Sequence, residues 1–339
     1  MRLMQAAQSS DQRPQSESLL THRVKAPIGL LSRRASGFLL FNILYGSGFA
    51  AYFVQFFRFS LEQEYTPHFS LILLVSLYLM YTHRQVLCAQ AAYCVQGGLL
   101  FGLLGILCYM LGLQLRPDLS PRDFMALTAL GMVTVWVGGF VTFFGLRATR
   151  LALFPLSFLI FIIPLPEALL FRIITALQYA SADVVALLFQ LCPFPFTREG
   201  LYFNLPDLYI EVARECSSIR SSLALCIACV LANHLLLRRG WSKAVVLLLV
   251  FPLAVFKNGV RIVSLCILTL YVDKGFMQGG LHTRGGAVFF GLALTMLVPI
   301  FWGLSKLESR HADPGQESGG SAKGRDNHHG SISDQENCS

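Results

Sequence analysis

Apolar residues occur in long runs free of Asp, Glu, Lys and Arg, at 37–57, 91–115, 124–146 and 285–305. Each run is long enough to cross a hydrocarbon core of about 30 Å as a helix. A further apolar run at 65–82 is read as the second span. The run at 151–163 is short and ends in Pro164-Leu165-Pro166, where a helix must stop or break. Glu167–Leu191 follows with helical patterning and carries Arg172 and Asp183. These last two segments count together as one net crossing, one part being re-entrant or interfacial. Spans at 221–237 and 244–272 precede the final one. The pattern predicts an all-α polytopic membrane protein with about eight transmembrane helices.

Between these runs, residues 196–213 alternate apolar and polar positions and include Gly200 and Pro206. They are expected to form a short extended segment or hairpin at the outer face. Residues 1–36 are polar and basic, and the apolar run behind them lacks a small-residue cleavage site, so it reads as an uncleaved anchor. The membrane domain is then expected at 37–306. The tail at 307–339, rich in Gly, Ser and charge, has little to bury and is expected to be disordered. No internal repeat is visible, hence no inverted-repeat transporter pattern.

Composition agrees with this reading: 54% of residues are hydrophobic and 14% charged, against about 25% charged in ordinary soluble domains. The net charge of +8 does not point to nucleic acid, because the basic residues sit in short clusters between apolar runs. On the eight-span topology, twelve Lys and Arg fall on the inner side before the tail and seven on the outer side. That bias places both termini in the cytoplasm. The nine cysteines lie mostly in apolar runs, where Cys behaves as a small hydrophobe. Cys226 and Cys229 lack the further ligands that a tetrahedral metal site needs. Neither a metal nor a cofactor is expected.

Polar residues concentrate in 196–285, and three of them stand out. Cys216 falls where a membrane helix begins, near unpaired backbone N–H groups and the positive end of the helix dipole, and both favour a thiolate. Arg220, four residues on, adds a cation on the same face. Arg261 interrupts the apolar helix in Phe256-Lys257-Asn258-Gly259-Val260-Arg261-Ile262, where an unpartnered charge costs about 3 kcal/mol or more. Snorkelling to the headgroups suits Lys257; the apolar residues that follow Arg261 make it no helix-end anchor. His282 lies in a glycine-rich turn just before the last span and is suited to acid–base work near neutral pH. All three approach the same outer face. A cysteine nucleophile, a proton-shuttling histidine and a charge-stabilising arginine are the roles acyl transfer requires. His234, Arg238 and Arg239 belong at the opposite face.

These residues resemble the exosortase/archaeosortase family of multispanning membrane cysteine enzymes, from about residue 161 to 302. The resemblance rests on three ordered blocks: Glu215-Cys216-Ser217-Ser218-Ile219-Arg220-Ser221, Asn258-Gly259-Val260-Arg261-Ile262, and the His282 turn. Pro164-Leu165-Pro166 and Leu177-Gln178-Tyr179-Ala180-Ser181 look like upstream family features. The resemblance implies Cys216 as nucleophile, completed by Arg261 and His282. Glu215, Ser217, Arg220 and Asn258 would support the triad or contact substrate. It also implies membrane-anchored substrates with a C-terminal sorting signal of Pro-Glu-Pro type, a helix and a basic tail, cut at the outer face of a bacterial inner membrane. The acceptor would be an extracellular-polymer component. Ser218 stands where the family usually has Gly, which bears on substrate preference.

Two rivals belong to other classes. A transporter or channel would use Arg261 to line an anion path, and should spread polar residues through several spans; the first four hold almost none. A non-catalytic assembly factor for polysaccharide export would carry the same residues without the reaction.

Overall fold

The computed structural model describes residues 28–62, 69–191, 195–206, 208–213, 219–272 and 286–310. Helices dominate. The first part contains α1 (Ile28–Gly48), α2 (Ala50–Glu62), α3 (Phe69–Thr82), α4 (Arg84–Ala89), α5 (Val95–Gln114), α6 (Pro121–Leu151) and α7 (Leu153–Phe158). A 3-10 turn, Leu159–Ile162, leads to Pro164-Leu165-Pro166. The second part contains α8 (Glu167–Leu191), strands β1 (Thr197–Glu199), β2 (Tyr202–Leu205) and β3 (Leu208–Glu211), then α9 (Ile219–Leu236), α10 (Gly240–Tyr271) and α11 (Gly286–Arg310).

Among the described residues, six helices are long and apolar enough to cross a membrane. The count reaches seven when α1 and α2, bent by 68° at their junction, are taken as one span. The all-α polytopic class therefore holds. Of the expected span at 65–82, the described residues form α3, 14 residues from Phe69 to Thr82 or about 21 Å at 1.5 Å per residue. It packs beside α7 and the 3-10 turn.

Two local signals fix the first part. Ser120 caps α6 by accepting the Asp123 backbone N–H at 3.1 Å, with Pro121 in the first turn, where its missing N–H costs nothing. Helices α5 and α6 then pack along a glycine stripe. A methyl added at Gly105 would lie 2.7 Å from the Gly131 carbonyl oxygen, and one at Gly138 2.9 Å from that of Gly98. Only hydrogen fits at these positions, so the two backbones touch, as small residues permit between membrane helices. The rest of α5 is turned outward.

In the second part α10 is the axis. It meets α8 on one side, and α9 and α11 on the other. Leu225, Val246, Val250, Ala293 and Leu297 form the core between α9, α10 and α11. The expected extended segment is a three-stranded antiparallel sheet in the order β1-β2-β3. Its alternation is real: Phe203, Leu205 and Ile210, with Val212 just beyond, are buried against Val185 and Phe189 of α8 and Ile262 and Cys266 of α10. Tyr202 and Tyr209 stack on the opposite face, ring centroids 5.7 Å apart.

Helix boundaries shift at both termini. Helix α1 is described from Ile28, inside the 1–36 segment read as polar and basic. Helix α11 runs to Arg310, past the boundary placed at 307. Glu308, expected in the tail, is 8% exposed. Its carboxylate accepts the backbone N–H groups of Arg238 and Arg239 at 2.9 and 3.0 Å, holding the α9–α10 turn.

Candidate active site

Several buried polar groups of the second part gather where α8, α9 and α10 meet the end of the sheet. Lys257, Asn258 and Arg261 come from α10. Residues 257 and 261 are one turn apart on one helical face, and Asn258 is offset toward α8. Gly259 allows the approach of α8: a methyl there would lie 2.5 Å from Cγ1 of Val184. At that distance the Asn258 amide donates to the Ser181 hydroxyl at 3.0 Å. Both groups are buried, so the bond satisfies polarity that would otherwise be costly in an apolar bundle.

Three residues before Ser181, on the same face of α8, Gln178 donates from Nε2 to the Val212 carbonyl at 2.9 Å. Val212 is the residue just beyond β3. On the other side, Lys257 donates from Nζ to the hydroxyl of Ser221 in the first turn of α9. Lys257 is 1% exposed. The snorkelling expected of it is therefore incorrect: its amine turns inward because Ser221 supplies a partner there, and a buried amine needs one. Ser222 is buried beside this contact, and its hydroxyl has no hydrogen-bond partner among the described residues.

The result is a pair of ties on either side of residues 214–218. Gln178 holds the chain before them and Lys257 holds it after them. Arg261 lies one turn beyond Lys257 and is half-buried. Arg220 is exposed in the first turn of α9.

Of the expected site residues, Asn258 and Arg261 lie on α10 and Arg220 lies in the first turn of α9, next to the Ser221 that accepts from Lys257. Cys216, Glu215, Ser217 and His282 lie outside the described residues. Gln178, Ser181, Ser221 and Lys257 are additions. Gln178 and Ser181 stood in the block recognised upstream, and their spacing of three, polar on an apolar helix, was the available signal. His234 stacks on Phe154 at the far end of α9, ring centroids 3.6 Å apart. From Ser221 to His234 is about 20 Å along the helix, which keeps His234 out of the site. Among the described residues no three His, Cys, Asp or Glu side chains come together as metal ligands.

A family model described as "Transmembrane exosortase (Exosortase_EpsH)" matches residues 60–299. That match begins well before residue 161 and so takes in most of the first part, where the sequence carried little recognisable pattern. No curated protein and no solved structure is significantly similar to the chain.

Proposed function

This chain belongs to the transmembrane exosortase family, a multi-pass membrane family with a transpeptidase and protein-sorting role, and from that premise we propose a Cys216–Arg261–His282 reaction centre. The observation that supports it most is the pair of ties just described. Gln178 to Val212 and Lys257 to Ser221 hold both flanks of the segment containing Cys216, and Arg261 lies one turn beyond Lys257 on α10. A nucleophile gains most from being held near its attack geometry, where misplacement by about 1 Å can cost on the order of 100-fold in rate.

In this proposal the Cys216 thiolate attacks the scissile carbonyl carbon, and Arg261 stabilises the oxyanion of the tetrahedral intermediate. The C–N bond breaks as His282 gives its proton to the departing amine, leaving an acyl-thioester on Cys216. An acceptor nucleophile then attacks that carbonyl and loses its proton to His282. The C–S bond breaks and the thiolate returns. Glu215, Ser217, Arg220 and Asn258 support these groups or contact substrate, and Lys257 positions the Cys216 segment through Ser221.

The substrates are membrane-anchored proteins ending in a Pro-Glu-Pro-type sorting signal, and the acceptor is an extracellular-polymer component. The site faces the exterior of a bacterial inner membrane, with both termini cytoplasmic.

The test is co-expression with a tagged sorting-signal substrate, comparing the wild type with Cys216→Ala by gel shift. Processing should vanish in the variant while its amount in the membrane is unchanged. Equal processing by both proteins would remove Cys216 as the nucleophile.

A further inference from the structure

A large cavity among the described residues lies outside the candidate site, in the first part of the molecule. It has a volume of about 760 Å³ and opens where α1 and α2 bend away from each other, bounded by α3, α6 and the 3-10 turn. Its wall is mostly aromatic and aliphatic, including Phe53, Phe57, Leu73, Met132 and Trp136.

The polar groups in that wall are mostly spent. Tyr45 donates to the Met132 carbonyl at 3.1 Å and Tyr52 to that of Met125 at 3.0 Å. Ser76 donates to the Pro155 carbonyl at 2.8 Å. Trp136 donates to Asn42 Oδ1 at 3.0 Å, and the Asn42 amide donates to the Phe38 carbonyl at 2.7 Å. A water molecule needs two to four polar partners and would find few here. The occupant is apolar where it meets this wall. Among the described residues, the one charged residue in the lining is Arg58, exposed on α2.

Size decides between the apolar occupants. A membrane-spanning helix about 10 Å across and 30 Å long has a volume on the order of 2,400 Å³ and does not fit. The observed volume lies in the range of about 300–1,000 Å³ typical of small-molecule pockets. We propose that the cavity is a lipid site, holding one acyl chain of an anionic phospholipid against Trp136 while the lipid's phosphate pairs with Arg58.

Trp136 provides the readout. With Trp241→Phe and Trp302→Phe as background it is the sole tryptophan. The full chain is placed in nanodiscs doped with a brominated-acyl phospholipid, carrying either an anionic phosphatidylglycerol or a zwitterionic phosphatidylcholine headgroup. Quenching of Trp136 should reach half its maximum at about fivefold lower mole fraction of the anionic lipid, the advantage one arginine gives. Arg58→Gln should remove that preference. Val133→Phe, which fills the cavity from α6, should protect Trp136 from both lipids. Leu77→Phe does the same from α3 if Val133→Phe does not accumulate in the membrane. Equal quenching by the two headgroups, unchanged by Arg58→Gln, would overturn the phosphate contact. Quenching that persists in a folded filling variant would overturn the site itself.

Discussion

Nζ of Lys257 donates to the hydroxyl of Ser221, joining the middle of α10 to the first turn of α9 across 36 positions of sequence. Burying an amine is costly, and an apolar side chain of similar volume in its place removes that cost while leaving only a neutral hydroxyl without its donor. Stability and activity should therefore separate at this position. Lys257→Met should accumulate in the membrane and melt at or above the wild-type temperature. Its processing of a sorting-signal substrate should fall by about tenfold or more, because the Cys216 segment loses its rear tie. Lys257→Met with both full stability and full processing would show that the contact does not position the site.

The tie on the other flank makes a different prediction. Gln178→Leu keeps the volume but leaves the buried Val212 carbonyl without its amide donor, at a cost of about 1–3 kcal/mol. The sheet and the segment after it should exchange amide hydrogens faster in this variant, while α5 and α6 keep wild-type protection. Uniform acceleration throughout the protein would instead mean a global loss of stability.

The same region shows how much of the molecule was legible in the sequence. Arg261 was visible because a charge inside an apolar run contradicts its surroundings, whereas Gln178 and Ser181 entered only within a block that resembles the family, their shared helical face unread. Lys257 was misread because its meaning depends on Ser221, which only the packing of α9 on α10 brings near. The same holds for the glycines of α5 and α6. Gly98 and Gly105 look like ordinary residues of an apolar span until Gly138 and Gly131 are placed opposite them. Span lengths were legible where no break intervened, as in Glu167–Leu191. They were less so at 37–82, where hydropathy does not record the 68° bend between α1 and α2. Alternation gave an extended segment or hairpin, but not the third strand.

Gly259 tests whether the approach of α8 and α10 matters. Gly259→Ala puts a methyl 2.5 Å from Val184 Cγ1, an overpacking that should cost about 1–3 kcal/mol. Adding Val184→Ala should recover much of that loss by removing the opposing methyls. A thermal-stability double-mutant cycle should therefore give a favourable coupling between the two sites. Simple additivity would show that the strain is relieved elsewhere.

The last prediction concerns where the folded domain ends. Glu308 is buried at the end of α11 and accepts two backbone N–H groups from Arg238 and Arg239, just before α10 begins at Gly240. A carboxylate there satisfies donors that the turn leaves open, and it lies at the positive end of the α10 dipole. Charge-assisted bonds of this kind contribute about 1.5–3 kcal/mol each at most, less where water competes. Truncation after Arg310 should leave the melting temperature unchanged. Truncation after Lys306, or Glu308→Ala in the full chain, should lower it by a few degrees, with the loosened amide exchange centred on the α9–α10 turn. If both truncations melt alike, the carboxylate adds nothing to stability and the boundary returns to 307.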